Sequence, residues 1–131
     1  MRLTLIPFAQ LYLLHGDIGT HATSAAPNRT VEHGFARTFR FPSLRDVPFI
    51  DLAWRVKAAY DGTREAENAL AWSVQRKVID NFVKLGRDGM YACEEPIVVK
   101  PRAIGYHLRG GNHRALALYV LGEENLLASV E

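Results

Sequence analysis

Apolar residues along the chain predict a strand near its start and helices in its middle. Leu3 to Phe8 form an apolar run that Pro7 interrupts, which is typical of a strand that ends or lies at a sheet edge. From Phe49 to Tyr60, apolar positions recur at helical spacing, and Asp61-Gly62 ends the predicted helix. We therefore expect an edge strand followed, after a long interval, by a first helix.

A second helix is predicted from apolar residues that recur about every four positions. These residues are Leu70, Val74, Val78, Phe82 and Leu85. Their common face is expected to meet the core. Thr63 is the predicted N-cap, Gly86 the predicted end, and Arg87-Asp88-Gly89 a predicted turn.

The last third of the chain predicts a hairpin, a short helix and a final strand. Pro96 to Lys100 and Ile104 to Arg109 are expected to pair as a hairpin. A helix-favouring apolar run follows from Ala115 to Gly122, and Asn125 to Val130 reads as a strand. The expected fold class is α+β, a small mixed sheet with flanking helices.

Residues 15–45 form an irregular insertion rich in Gly, Thr, Ser, Ala, Pro and Asn. Such a length without a helical pattern exceeds that of ordinary loops. Phe35, Phe39 and Phe41 all occupy odd-numbered positions, as residues on one face of an extended chain do. This spacing predicts an extended arm or an added strand. The interleaved arginines could contact single-stranded nucleic acid. His15, Asp17 and His21 match no standard zinc spacing, and we predict no metal site.

Length and composition predict one domain that spans residues 1–131, because this length buries one core and not two. Cys93 is the sole cysteine, so an intrachain disulfide is excluded and a reducing cytoplasm is the expected location. Beyond the N-terminal run, no segment approaches the length of a transmembrane helix, and we expect no membrane partner.

The strongest chemical signal is the motif Gly110-Gly111-Asn112-His113-Arg114, which lies between a strand-like and a helix-like run. The glycines allow a sharp turn and close approach of a ligand. A helix N-terminus presents unpaired N–H groups and a positive dipole, which favour phosphate. In this interpretation Asn112 caps the helix, while His113 and Arg114 contact the phosphate oxygens.

Local charge supports an anionic ligand at this motif. No Asp or Glu occurs from Pro96 to Gly122, whereas four cationic residues do: Lys100, Arg102, Arg109 and Arg114. The whole chain carries only +2, so nucleic-acid binding would need a local patch. The alternative is an ordinary strand-to-helix turn with a structural His113 and with Arg114 paired to a surface carboxylate.

The GGNHR motif, with its following helix and preceding Pro-Ile-Val-Val strand, resembles the ParB/sulfiredoxin superfamily. Ile6-Pro7 with Leu11 is similar to the first strand of such domains, and the match is tight from about residue 94 onward. The resemblance implies a nucleotide or phosphate site formed by Gly110, Gly111, Asn112, His113 and Arg114, with ATP, CTP or ADP as ligand and Mg²⁺ as an accompanying ion. Asn112 replaces the catalytic cysteine of sulfiredoxins, which argues against sulfinic-acid repair.

Further residues complete the predicted site. Glu94 and Glu95 precede the hairpin, and Glu95, with His113, is the candidate for acid–base catalysis, although such acids are often merely solvated. Lys100 and Arg109, with Arg102 and His107, are candidate contacts to the ligand or to a nucleic-acid backbone, although alternation along the hairpin could place half of them in solvent.

Three functions remain open at this point. The first is a nucleotide- or phosphate-binding domain, with NTP hydrolysis or phosphoryl transfer as the activity if it is an enzyme. The second is a non-catalytic DNA- or RNA-binding or protein-interaction module, nuclease-like or not. The third is a degenerate copy of the fold that serves only association, as in a homodimer.

Overall fold

The computed structural model describes residues 2–14, 38–39, 41, 45–92 and 95–131. Within them lie five strands: β1 Leu3–Pro7, β2 Leu11–Leu13, β3 Ile97–Pro101, β4 Tyr106–Leu108 and β5 Asn125–Val130. Three α-helices have their bounds there as well: α1 Phe49–Tyr60, α2 Ala69–Ala92 and α3 Asn112–Val120. The structure confirms the predicted mixed α+β class.

The described strands form one mixed sheet in the order β1-β5-β3-β4-β2. β1–β5 and β3–β4 are antiparallel, whereas β3–β5 and β2–β4 are parallel. The two edge strands are joined only by a 3-10 turn, Phe8–Gln10. Four residues of chain reach at most about 14 Å, while a flat five-stranded sheet is roughly 19 Å across. The sheet therefore has to curl.

Helix α3 lies at the centre of the core. Its four consecutive residues from Ala115 to Leu118 are all buried, and it packs against both α1 and α2. A helix that is apolar on all sides needs such an enclosed position. The sheet completes the core with inward-facing residues, among them Leu13, Val99 and Leu108.

Three aromatic rings fix the turn between the edge strands. Phe8 stacks on Phe49 of α1 with ring centroids 5.2 Å apart, and both rings contact Tyr119 of α3. Such pairs stabilise by about 0.5–1.5 kcal/mol beyond their buried area. They hold the curl of the sheet against the helices.

The predicted core face of α2 is wrong at three of its five residues. Leu70 is 79% exposed and Val74 61% exposed, and Leu85 is also exposed. The buried positions of α2 include Gln75 and Ile79 instead. The buried face is rotated from the predicted one, and apolar periodicity does not detect it because one of its positions is the polar Gln75.

Both ends assigned to α2 also need correction. Asn68, and not Thr63, caps the helix: its Oδ1 accepts a hydrogen bond from the amide of Ala71 at 3.0 Å. Gly86 has φ 75° and breaks the helical backbone as expected, but helical geometry resumes through Arg87-Asp88-Gly89, so the turn predicted there is wrong. The predicted stop at Gly86 is therefore a kink.

Elsewhere the expected elements largely hold. α1 and β5 have the predicted bounds, and the hairpin is confirmed as β3 and β4 with Lys100 opposite His107.

The sequence does not predict strand β2, since three residues carry little periodic signal. Most of the predicted insertion lies outside the described residues; within it, Phe39 is buried with helical backbone, so an extended arm is wrong at this position.

Among the described residues, no helix combines the length and apolar character that crossing a membrane requires.

The start of α3 depends on Gly111. This residue has φ 77°, and a Cβ built on it would lie 2.9 Å from Cγ1 of Ile97 in β3. A left-handed backbone is unfavourable for L-residues with a side chain. Gly111 thus lets the helix begin directly on the strand.

We predict that Gly111→Ala lowers the free energy of unfolding by about 1–3 kcal/mol, through backbone strain and the contact with Ile97. Gly110→Ala is the matched control, because a Cβ at Gly110 would meet no atom within 4 Å. Urea denaturation of both variants measures the difference. Equal stability of the two variants would contradict this role of Gly111.

Candidate functional site

A cleft opens at the N-terminus of α3, where β3 begins. Its volume is about 480 Å³. The lining residues are Glu95, Pro96, Ile97, Val98, Gly110, Gly111 and Arg114. The GGNHR turn therefore forms one wall of a concave site, and the first residues of β3 form the other.

The first turn of α3 differs in one respect from the predicted arrangement. Gly111 is the N-cap, and no side chain caps the helix, so the predicted capping by Asn112 is wrong. The helix's own hydrogen bonds begin with the amide of Ala115, which donates to the carbonyl of Gly111 at 2.9 Å. The positive end of the helix dipole thus lies at the cleft.

Arg114 is the central charged group of the cleft. It is only 7% exposed, yet it lines the cavity. Within the described part of the chain, its guanidinium makes no hydrogen bond and no ion pair. The charge of Arg114 acts on the nearby Tyr91; burial raises the pKa of the tyrosine hydroxyl, which is therefore neutral at neutral pH.

A buried guanidinium without an anion costs stability, because desolvation is not repaid by a partner. Arginine presents planar N–H groups that match phosphate or carboxylate oxygens in pairs. The lining of the cleft thus contains a cation for which the described residues provide no counterion. An anionic ligand in the cleft would remove this cost.

His113 lies away from the cleft. Its Nε2 is 2.7 Å from Oε1 of Gln75 on α2, and His113 does not line the cavity. Because an amide oxygen only accepts, Nε2 carries the proton. Burial lowers the pKa of His113 to about 4, so the ring is neutral at neutral pH. This histidine ties α3 to α2.

The separation of the two basic residues follows from helix geometry. Consecutive residues of an α-helix point about 100° apart, since a turn takes 3.6 residues. Arg114 consequently faces the cleft while His113 faces Gln75. The structure does not bring the imidazole and the guanidinium into one cavity, and His113 is not placed for proton transfer there.

Of the remaining predicted site residues, some line the cleft and others lie outside it. Glu95, Gly110 and Gly111 line the cleft. Lys100 is exposed on β3 outside the lining, and Arg109 pairs with Glu131 at 3.4 Å. Two other groups of candidates lie outside the described residues: Glu94 and Cys93, and the unassigned set His15, Asp17 and His21.

The outer face of the sheet carries a second polar group. Strand register places Lys100, His107 and Tyr12 side by side on the face opposite the core. Arg102 lies over the Tyr12 ring, 3.8 Å from its centroid. His107 contacts Asp46 at 2.6 Å, and this hydrogen bond lowers the pKa of the Asp46 carboxyl.

Sequence reasoning missed the apolar wall of the cleft and the partner of His113. The sequence predicts Pro96, Ile97 and Val98 only as strand residues, because nothing in their types distinguishes the wall of a cleft from a core. Gln75 did carry a signal: it is a polar residue one turn before the apolar Ile79 and can reach a buried histidine.

Comparison with models of known protein families, with curated proteins and with solved structures found no match for this chain. Within the described residues, no cluster of three or more histidine, cysteine or acidic side chains is arranged to hold a metal ion.

We predict that the protein loses stability as pH falls from about 6.5 to 4 because of His113. The unfolded ring has the ordinary pKa of 6.5 and the folded ring about 4, so the unfolded state binds more protons in this range. The effect is at most about 3 kcal/mol, at 1.36 kcal/mol per unit of pKa.

Urea denaturation across this pH range should show a shallower decline for His113→Gln than for the wild type. Since all other histidines are retained, the difference between the two slopes reports this ring. An NMR titration should independently place the His113 pKa below 5. A value near 6.5 would contradict its burial as a neutral group.

Proposed function

We propose that this domain binds a phosphorylated ligand, a nucleotide or another phosphate ester, in the cleft at the N-terminus of α3. One observation carries the proposal: Arg114 is buried at a cavity wall without an anionic partner among the described residues. The helix dipole and the two glycines of the turn favour phosphate over other anions, since its several oxygens accept backbone N–H groups as well as the guanidinium.

The resemblance of the GGNHR motif to the ParB/sulfiredoxin superfamily supports the same proposal. It implies ATP, CTP or ADP as ligands, and a domain of that type. One carboxylate, Glu95, lines the cleft among the described residues. A single carboxylate suits Mg²⁺, which keeps much of its water and binds through substrate phosphates.

The function that we propose is ligand binding, and catalytic turnover is secondary to it. His113 is neutral, bonded to Gln75 and outside the cleft. If NTP hydrolysis or phosphoryl transfer occurs, Glu95 is the described group in the cleft that can accept a proton, and Arg114 neutralises developing charge on the phosphate. Catalysis then rests on positioning and charge rather than on a histidine.

A second candidate function is nucleic-acid binding on the outer face of the sheet. It is favoured by the row of Lys100, His107 and Tyr12, with Arg102 stacked on the tyrosine ring. Such a face offers cations to a phosphate backbone and one aromatic ring to a base. It does not involve Arg114, so the two functions are separable by mutation.

We predict that Arg114→Met abolishes ligand-induced stabilisation while leaving the unliganded protein as stable as the wild type or more so. Methionine fills similar space and removes a buried charge for which the described residues provide no counterion. With phosphate, ATP, CTP or ADP and Mg²⁺ in a thermal-shift panel, the wild-type melting temperature should rise with ligand concentration. The loss of affinity should be about 100-fold, as for two charge-assisted hydrogen bonds.

Arg109→Met is the control, because Arg109 lies outside the cleft and pairs with Glu131. It should keep the ligand-induced shift. An equal loss in both variants, or no shift with any of these ligands in the wild type, would contradict the proposed site. Salt-sensitive binding of oligonucleotides that Arg114→Met leaves intact and Lys100→Ala weakens would favour the second function instead.

A further inference from the structure

The cleft contains two opposite charges that do not pair with each other. Arg114 lies buried in one wall, and Glu95 is exposed at the start of β3. Among the described residues, neither side chain makes an ion pair or a hydrogen bond. Two opposite charges in one cavity that do not meet leave space for a ligand that contacts both.

The charge of the lining limits how much negative charge a ligand can bring. Among the described lining residues, Arg114 is the single cation, while Lys100 and Arg109 stand outside. A triphosphate carries several negative charges and would place the excess against Glu95. A phosphomonoester carries about 1.5–2 charges at neutral pH, which one guanidinium and a helix N-terminus balance more closely.

The rest of the lining indicates what the phosphate is attached to. Pro96, Ile97 and Val98 form an apolar wall that suits a carbon skeleton. The volume of about 480 Å³ falls in the usual range for small-molecule sites. The ligand therefore extends beyond a bare phosphate ion.

Glu95 calls for a donor at the other end of the ligand. An ammonium group would share the cavity with the Arg114 guanidinium, which repels it. A hydroxyl group donates to a carboxylate without adding positive charge. Neighbouring hydroxyls on a sugar ring match the two oxygens of a carboxylate.

We propose that the ligand is the phosphomonoester of a polyhydroxylated compound, a sugar phosphate or a nucleoside monophosphate. Its phosphate binds Arg114 and the N-terminus of α3, its hydroxyls donate to Glu95, and its carbon skeleton packs on the wall of Pro96 to Val98. This inference rests on the proposed function and specifies the ligand class for the same cleft.

Isothermal titration calorimetry with four probes tests this inference. The probes are ribose 5-phosphate, inorganic phosphate, O-phosphoethanolamine and Mg-ATP, each titrated into the wild type, Glu95→Gln, Arg114→Met and Glu124→Gln. Ribose 5-phosphate should bind about ten-fold more tightly than inorganic phosphate, as one hydrogen bond to a charged group allows. It should also bind more tightly than the other two probes.

Glu95→Gln should abolish the ten-fold preference and leave the affinity for inorganic phosphate unchanged or improved. Glu124 lies outside this cleft, so Glu124→Gln should behave as the wild type. An unchanged preference in Glu95→Gln, or tightest binding of O-phosphoethanolamine, would overturn the inference.

The two proposals fail in distinguishable ways. Tightest binding of Mg-ATP, lost in Arg114→Met, would overturn the monophosphate inference and leave the proposed function standing. If no probe binds in a manner that depends on Arg114, the proposed function itself is overturned, and this inference with it.

Discussion

The close approach of Gly111 to the side chain of Ile97, which leaves no room for a Cβ, sets the geometry of the candidate site. It lets α3 begin directly against β3, with a left-handed residue as its N-cap. From that starting point, the helix runs into the core with Arg114 to Leu118 buried, and its third residue, Arg114, lies in the wall of the cleft. A side chain at Gly111 would push the helix and the strand apart.

The same geometry makes the site costly to the fold. Enclosing α3 between the sheet and two helices buries Arg114 along with its apolar neighbours, and the described residues supply no counterion. Folding is only marginally favourable, so an uncompensated charge of this kind is a substantial burden. Residues that function requires are often those that stability alone would not select. This conflict is the physical reason for reading the cleft as a binding site.

Much of the fold follows from local patterns. The helix Phe49–Tyr60 and the strand Asn125–Val130 have the bounds that apolar spacing and turn residues predict. The failures occur where long-range packing decides. Leu70 and Val74 repeat at helical spacing yet face solvent, and the short β2 is a strand because it lies beside β4.

The candidate site was predicted in part. The glycine turn and the basic helix start are visible in the sequence because they depend on neighbouring residues. The sequence does not show that His113 and Arg114 have different surroundings, because these depend on which element packs against each side of the helix. Only the tertiary structure puts Gln75 on one side and an open cleft on the other.

The most direct test of the central claim is an NMR titration of ¹⁵N-labelled protein with inorganic phosphate. The account predicts that the largest shifts occur at the amides of Gly110, Gly111 and Arg114 and at the Arg114 Nε–H, while the His113 ring stays unperturbed. Shifts centred on the outer sheet face around Lys100 and His107, or no shifts at all, would contradict it.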